Sequence, residues 1–227
     1  MKIGILQTGH APDALIAETG DYDLFFERLL GGHGFTFQNW PVVDGVFPPG
    51  AEAADAWLIT GSRHGAYEDH DWIAPLEDLV RAIHASGRPM VGICFGHQII
   101  AQALGGKVEK FDGGWSVGRV EYDTPQGPLA VNAWHQDQVT ELPQGARVLG
   151  STPFCENAIL AYGDQILTYQ PHPEFDADFV VQLAETRGRG VVPDALLDAA
   201  IAEKDQPLDS GKVANDIAAF FKAGHQA

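Results

Sequence analysis

Cysteine, basic side chains and long apolar runs are all scarce in this sequence. Only Cys94 and Cys155 carry thiols, so a framework of disulfides is not expected and both thiols are predicted to stay reduced. The 14 lysines and arginines stand against 31 aspartates and glutamates, and the net charge of −17 repels nucleic acid and anionic lipid. No apolar run approaches membrane-spanning length, and residues 1–7 lack the features of a secretory signal. We therefore expect a cytoplasmic protein without a nucleic-acid or membrane partner.

The composition is otherwise that of a folded protein. Apolar residues make up 45% of the 227 positions and charged residues 20%, which is ordinary for a chain with a substantial core. This length suits one α/β domain better than two. We expect a single domain over residues 1–227, of which residues 176–227 form a C-terminal helical extension.

Short β-rich runs alternate with helical patterns through the first half of the chain. This rhythm is typical of parallel strands joined by crossover helices. Predicted strands cover residues 2–7, 35–43 and 56–60, and predicted helices cover residues 21–30 and 72–85.

The helix predicted at residues 72–85 has a candidate N-cap in Asp71. Apolar residues recur behind it at helical spacing, from Ile73 to Ile83. Residues 69–71, Asp-His-Asp, are therefore interpreted as a capping and loop segment rather than a metal site.

The second half of the chain has a different pattern. Residues 117–170 contain successive strand-like segments and predict antiparallel pairing, including a hairpin whose two-residue turn is Gly163-Asp164. Helical patterns return at residues 178–186, 194–202 and 212–222. The predicted fold class is α/β, with a mostly parallel central sheet flanked by helices and an antiparallel strand section.

Residues 92–96, Gly-Ile-Cys-Phe-Gly, have the form of a nucleophile elbow, in which the central residue occupies a sharp turn from strand to helix. Such a turn exposes the Cys94 thiol at the carboxyl edge of the sheet, where the N-terminus of the next helix favours the thiolate. The alternative is a cysteine buried in a core strand, which would not need the flanking glycines. We interpret Cys94 as a nucleophile.

A cysteine nucleophile in acyl transfer needs a base and a group that orients the base. His172 follows an apolar strand and lies between Pro171 and Pro173, which fix the backbone around it. Residues i and i+2 of an extended segment point the same way, so Glu174 is predicted to orient the His172 imidazole. The alternative for this segment alone is a rigid loop with a solvated carboxylate.

The elbow, continued by His97 and Gln98, and the His172-Pro173-Glu174 segment together resemble the class I glutamine amidotransferase family. The resemblance covers most of the chain, from the first strand through Glu174. It implies a flavodoxin-like fold and a Cys94-His172-Glu174 triad that hydrolyses glutamine through a γ-glutamyl thioester. Residues 61–68 and 114–118 are similar to a subgroup of stand-alone γ-glutamyl peptidases and GMP-synthase-like domains.

The resemblance also implies roles for residues around the triad. Gly61 and Phe95 correspond to the backbone amides that bind the oxyanion, although Thr60-Gly61-Ser62 departs from the common Gly-Gly-Pro of the family. Gln98 is similar to a residue that lines the glutamine pocket. A substrate-contacting loop of the family is matched by Trp134, His135 and Gln136, and a purely structural role for His135 stays open.

The leading hypothesis is hydrolysis of glutamine or another γ-glutamyl compound, with no cofactor and no metal. No synthetase domain fits into the residues after Glu174. Either a separate synthetase chain therefore accepts the ammonia, or water is the final acceptor and the protein is a simple hydrolase or peptidase of γ-glutamyl compounds. A non-catalytic regulatory or binding protein on the same fold is the alternative of another class. A metal site formed by Cys94, His97 and His172 is disfavoured because their spacing matches no common zinc pattern.

Overall fold

A computed structural model describes residues 1–224, so residues 225–227 of the predicted C-terminal extension lie outside the described part. Its strands come from the short apolar runs. They are β1 (Lys2–Leu6), β2 (Thr36–Trp40), β3 (Ala56–Ile59), β4 (Met90–Ile93), β5 (Lys107–Lys110), β6 (Ser116–Tyr122), β7 (Leu129–His135), β8 (Asp137–Glu141), β9 (Ala146–Gly150), β10 (Ile159–Tyr162) and β11 (Ile166–Tyr169).

Seven of these strands form the central sheet, in the order β2-β1-β3-β4-β11-β10-β9. The first five run parallel, and the last two are antiparallel to their neighbours. The pairs β5–β8 and β6–β7 form two smaller antiparallel sheets. The predicted α/β class, with a mostly parallel sheet and an antiparallel section, is confirmed.

Helices cover both faces of this sheet because successive side chains of a strand point to opposite faces. The helices are α1 (Asp13–Thr19), α2 (Tyr22–Leu29), α3 (Ile73–Ala85), α4 (Phe95–Ala103), α5 (Ala177–Leu183), α6 (Asp194–Ala202) and α7 (Ser210–Gly224). Trp57 and Ile59 of β3 pack with α3 and α4, whereas Leu58 packs with α2 and α7. Among residues 1–224, each helix is too short or too polar to cross a membrane.

Two predicted boundaries in the first half are wrong. The strand predicted at residues 35–43 ends at Trp40, because Pro41 has no amide for the ladder and residues 42–44 form a 3-10 turn. The predicted N-cap Asp71 does not cap α3. The helix starts after Trp72, and the amide of Ile73 donates instead to the His70 carbonyl at 3.0 Å.

Two predictions in the second half need correction as well. The hairpin turn contains three residues, 163–165, rather than Gly163-Asp164 alone, because Tyr162 pairs with Ile166. Gln165 is held in the turn by its side-chain amide, which donates to the carbonyls of His84 and Arg88 at 2.8 and 3.1 Å. The helix predicted at residues 178–186 ends at Leu183 and continues as a π-helical turn, Ala184–Gly188.

Candidate active site

Three adjacent parallel strands bring the predicted site residues to one edge of the sheet. Gly61 follows β3, Cys94 follows β4 and His172 follows β11, and these strands are neighbours in the order β3-β4-β11. Since parallel strands present all their carboxyl ends at the same edge, residues far apart in the sequence meet there.

Cys94 occupies the sharp turn that the elbow motif predicts. Its φ is 51°, and it is the one non-glycine residue with positive φ among residues 1–224. A Cβ on Gly92 would lie 2.5 Å from the Gly96 carbonyl oxygen, and a Cβ on Gly96 would lie 2.3 Å from the Ile59 oxygen. Only glycines allow this approach of α4 to β3, so the flanking glycines follow from the geometry of the turn.

His172 is fixed on three sides. Its Nδ1 donates to Oε1 of Glu174 at 2.6 Å, which leaves Nε2 on the side of the ring away from the carboxylate. The Phe175 ring stacks on the imidazole at 4.0 Å with planes 2° apart. The His172 amide donates to the Asn132 carbonyl of β7 at 2.8 Å. The structure therefore places Glu174 against His172 and brings both residues into the lining of the cleft that Cys94 also lines.

The electrostatics of this group favour a protonated imidazole. Burial alone would lower the pKa of His172, but the charge of Glu174 and then that of Cys94 raise this pKa to about 10. The side chains of His172 and Glu174 are 5% and 2% exposed, so water screens their interaction poorly. At neutral pH the arrangement is an imidazolium beside the Glu174 carboxylate.

Gly61 and Phe95, whose backbone amides are assigned to the oxyanion, both lie next to Cys94. Phe95 is the first residue of α4, so its amide has no acceptor within the helix. A Cβ on Gly61 would lie 2.8 Å from Cε1 of His172 and 3.7 Å from Cβ of Cys94. The Gly61 carbonyl accepts hydrogen bonds from the hydroxyls of Thr8 and Thr60, each at 3.1 Å.

Ser62 stands where the family has proline, and its side chain closes the turn in another way. The Ser62 hydroxyl accepts a hydrogen bond from the His64 amide at 3.1 Å. Such a local side-chain bond replaces the fixed backbone angle of proline. The Ser62 side chain thus bonds within the turn that follows Gly61.

A cleft of about 400 Å³ opens above Cys94. The residues predicted to bind substrate, Gln98, Trp134, His135 and Gln136, all line it, whereas the Phe95 side chain packs under it against Trp72. The Gln98 side-chain amide donates to the Asp137 carbonyl at 3.0 Å and to Oε1 of Gln170 at 3.1 Å. Gln98 is thus rigidly held as part of the wall.

Two buried histidines near the elbow have different positions. His135 lines the cleft, and burial followed by the charge of His172 lowers its pKa to about 3, so the ring is neutral. Its Nε2 has no partner among the described residues. His97 lies behind α4, where its Nδ1 is 2.8 Å from the Thr168 hydroxyl, and it does not reach the cleft with Cys94.

Sequence reasoning missed a large part of the cleft wall. Tyr22, Lys110, Trp115 and Arg187 line the cleft from four separate segments. Trp115 lies in the Gly-Trp segment that carries the subgroup resemblance, so that signal was present. Arg187 lies in the π-helical turn, a local irregularity common at functional sites that helical periodicity does not predict.

Cys155, the other thiol, takes no part in the cleft. It is 2% exposed, and burial raises the pKa of its thiol to about 12. Its amide donates to the Thr152 hydroxyl at 2.9 Å. Cys155 is therefore a buried free thiol, in agreement with the expectation that both thiols stay reduced.

The chain is similar to known proteins along most of its length. Residues 54–178 match the family model described as glutamine amidotransferase class-I. The chain is 33% identical to gamma-glutamyl peptidase 4 of Arabidopsis thaliana over 77% of this chain and 76% of that protein. It is also 33% identical to a GMP synthase (glutamine-hydrolyzing) of Ralstonia pickettii, over 74% of this chain but 36% of the synthase.

One solved structure has the same fold over nearly the whole chain. A glutamine amido transferase from Methylobacillus flagellatus superposes with a TM-score of 0.76 and covers 99% of this chain and 94% of its own. The two sequences are 21% identical, so this likeness concerns the fold.

Proposed function

This chain belongs to the class I glutamine amidotransferase family, and from that premise we propose that it hydrolyses the γ-glutamyl amide bond of glutamine or of a γ-glutamyl compound. The observation that supports the proposal is the 2.6 Å hydrogen bond between His172 and Glu174 in the wall of a cleft that Cys94 also lines. We assign the roles of nucleophile to Cys94, acid and base to His172, and orienting carboxylate to Glu174.

In the first half of the reaction the Cys94 thiolate attacks the amide carbon of the substrate. The carbonyl oxygen becomes an oxyanion, which the backbone amides of Gly61 and Phe95 stabilise. His172 then gives its Nε2 proton to the leaving nitrogen, so that the C–N bond breaks and ammonia or an amine departs. The product on the protein is a γ-glutamyl thioester of Cys94.

In the second half water hydrolyses the thioester. His172, now neutral, takes a proton from the attacking water, and the tetrahedral intermediate collapses to glutamate and the Cys94 thiol. Glu174 holds the imidazole in the required tautomer throughout and stabilises its charged form.

The shape of the cleft supports a leaving group larger than ammonia. Its volume of about 400 Å³ lies within the range of small-molecule sites, and the indoles of Trp115 and Trp134 line it together with Arg63, Lys110 and Arg187. The similarity to gamma-glutamyl peptidase 4 points the same way.

The first experiment measures glutamate released from glutamine, glutathione and a set of γ-glutamyl dipeptides, with wild type and Cys94→Ala side by side. Release from peptides by wild type, lost in Cys94→Ala, is the expected result. Cys155→Ala is the matched control, because it removes the other thiol and leaves the cleft intact. If wild type releases glutamate from none of these compounds, the proposal of a hydrolase that acts alone is refuted.

Supply of ammonia to a separate synthetase chain is the second candidate. The similarity to a GMP synthase, of which the aligned part covers 36%, favours it. It predicts weak turnover of glutamine alone and higher turnover when a synthetase chain and its substrates are added. Efficient cleavage of γ-glutamyl peptides without a partner argues against it.

A non-catalytic binding role is the alternative of another class. It predicts that a diazo-ketone analogue of glutamine leaves Cys94 unmodified, whereas a competent nucleophile forms a covalent adduct at Cys94. Mass spectrometry of the peptide that contains Cys94 distinguishes the two, with Cys94→Ala as the unlabelled reference.

A further inference from the structure

Two histidines and a glutamate meet at the rim of the cleft, on the loop between β3 and α3. His64 Nδ1 lies 3.4 Å from Oε2 of Glu68, and His70 Nε2 lies 2.8 Å from the same oxygen. All three potential ligand atoms fall within 4.8 Å of one another. The two imidazole rings are 4.4 Å apart. This group, His64, Glu68 and His70, is called the rim cluster below.

The spacing of the rim cluster suits a tetrahedral metal ion. Metal–ligand bonds of about 2.0–2.1 Å place neighbouring tetrahedral ligands about 3.4 Å apart, which is the His64–Glu68 distance. The His70–Glu68 distance would lengthen by roughly half an ångström to reach that value. Two imidazoles and one carboxylate form a donor set that zinc takes when one coordination position stays open.

The imidazoles of the rim cluster are held by their surroundings. The His70 ring stacks on Trp72 with planes 8° apart, and Trp72 packs in turn against Phe95 of α4. The His64 backbone amide is fixed by the Ser62 hydroxyl at 3.1 Å. Such outer contacts orient metal ligands before the ion arrives.

An ion can reach the rim cluster from solvent and from the cleft. The side chains of His64, Glu68 and His70 are 21%, 43% and 36% exposed. His64 and Glu68 also line the cleft that contains Cys94. The rim cluster therefore borders the substrate cleft through His64 and Glu68.

We propose that His64, Glu68 and His70 bind one zinc ion at the rim of the cleft. The ion joins the two ends of the segment 64–70 and places positive charge beside the cleft. This site lies outside the Cys94 chemistry, and its existence does not depend on the proposed hydrolase activity.

The test measures zinc binding by isothermal titration calorimetry to full-length, chelator-treated Cys94→Ala protein. This background is necessary because a Cys94 thiolate with His172 could itself bind zinc. One zinc ion per chain is expected. Adding Glu68→Gln or His70→Gln should weaken binding roughly tenfold or more. His84→Gln is the matched control, because His84 is an exposed histidine in the last turn of α3.

A second readout is the effect of zinc on thermal stability. A ligand that binds the folded state alone raises Tm, so zinc should raise Tm in the Cys94→Ala background and should raise it less at the same zinc concentration after Glu68→Gln. The unliganded Tm shows whether each variant is folded. Two outcomes would overturn the proposal. One is zinc binding that neither Glu68→Gln nor His70→Gln weakens. The other is the absence of zinc binding at about 100 μM zinc, a concentration that would saturate a typical protein zinc site.

Discussion

Glu174 is a carboxylate almost out of reach of solvent, and its Oε2 has no hydrogen-bond partner among the described residues. Such a group is stable in a buried place only when an opposite charge accompanies it. His172 provides that charge through the 2.6 Å bond to Oε1. Glu174 therefore both orients the His172 imidazole and stabilises its protonated form.

Replacing the carboxylate by an amide separates these effects. In Glu174→Gln we expect kcat for glutamate release to fall roughly 10⁴-fold, because the imidazole loses its orienting and stabilising charge. The pKa of His172, followed by NMR of its ring protons, should fall from about 10 toward its ordinary value. Glu203→Gln, a change at an exposed glutamate, is the control. An unchanged pKa of His172 would contradict the assignment of Glu174 as its charge partner.

The same pair predicts how stability depends on pH. His172 holds a proton in the folded state up to about pH 10, whereas an unfolded histidine releases it near pH 6.5. The stabilisation is complete below about pH 6.5 and is lost as the pH rises through 10. Urea unfolding should show the free energy of unfolding decreasing across this window, with a shallower decrease in Glu174→Gln. An equal slope in both proteins would exclude His172 as its source.

Gly61 is limited by the His172 ring rather than by its own backbone angles. A methyl group there would lie 2.8 Å from Cε1 of His172, so Gly61→Ala should displace the imidazole and lower kcat roughly 10²-fold. Gly211→Ala is the control for the same chemical change, since no atom lies within 4 Å of its added methyl. Steady-state kinetics and Tm check the prediction, and full activity in Gly61→Ala would refute it.

Local motifs identify some site residues and miss others for a physical reason. Cys94, His172 and Glu174 stand in short segments whose backbone geometry is determined by adjacent glycines or prolines, and the structure brings them together. Their catalytic roles stay predictions. Lys110 and Arg187 reach the cleft from segments whose proximity depends on the packing of whole elements, which no local pattern contains.

Helix α7 shows how an element at the end of the chain becomes part of the core. Val213, Ile217 and Phe221 are fully buried against the face of the sheet that α2 also covers. Phe221 meets Phe35 edge-on with ring centroids 6.0 Å apart. The helix therefore contributes to the stability of the sheet that carries Cys94.

Two adjacent phenylalanines of α7 test this contribution. Phe221→Ala should reduce the free energy of unfolding by about 3–5 kcal/mol, because it leaves a cavity in the core. Phe220→Ala, a change at the half-buried neighbour, should cost about 1 kcal/mol. Denaturant unfolding of both variants gives the comparison. Equal losses of unfolding free energy in the two variants would contradict the packing of α7 through Phe221.

For helices and strands, the sequence predicts the type of each element better than its first and last residues or the elements that pack beside it. Apolar periodicity predicts α3 and α7 well because each buries a stripe of side chains along one face, four in α3 and five in α7. Helix α1 escapes it, since seven residues with one buried side chain, Leu15, leave no periodic signal. The order of strands in a sheet also cannot be predicted from the alternation of apolar and polar residues. This alternation indicates that β6 and β7 are strands, but it does not show that they form a sheet separate from the central one.

The charge of the whole molecule makes the cations of the cleft significant. In a chain of net charge −17, the three cations Arg63, Lys110 and Arg187 line the cleft above Cys94. Within residues 1–224 these three make no ion pair. The ion pairs of arginine and lysine there use Arg81, Arg88, Lys107, Arg119, Arg189 and Lys204.

We expect these cations to hold an anionic leaving group. Arg63→Gln, Lys110→Gln and Arg187→Gln should each raise KM for a γ-glutamyl dipeptide by roughly 3- to 10-fold, and KM for glutamine by less. The difference should shrink at high salt because exposed charges are screened. Arg147→Gln, an exposed change on β9, serves as the control. Equal effects on both substrates would assign the cations to the glutamyl carboxylate instead.

The two thiols differ in accessibility, so their reaction with a thiol reagent reports on the state of the protein. Cys94 opens into a cleft, whereas Cys155 is sealed in the core with a thiol that burial keeps protonated. A thiol-specific reagent applied to the native protein should therefore count competent nucleophiles, one per chain. Uptake of a second equivalent then marks the moment at which the core opens, so one labelling time course yields both the active fraction of a preparation and its rate of global unfolding.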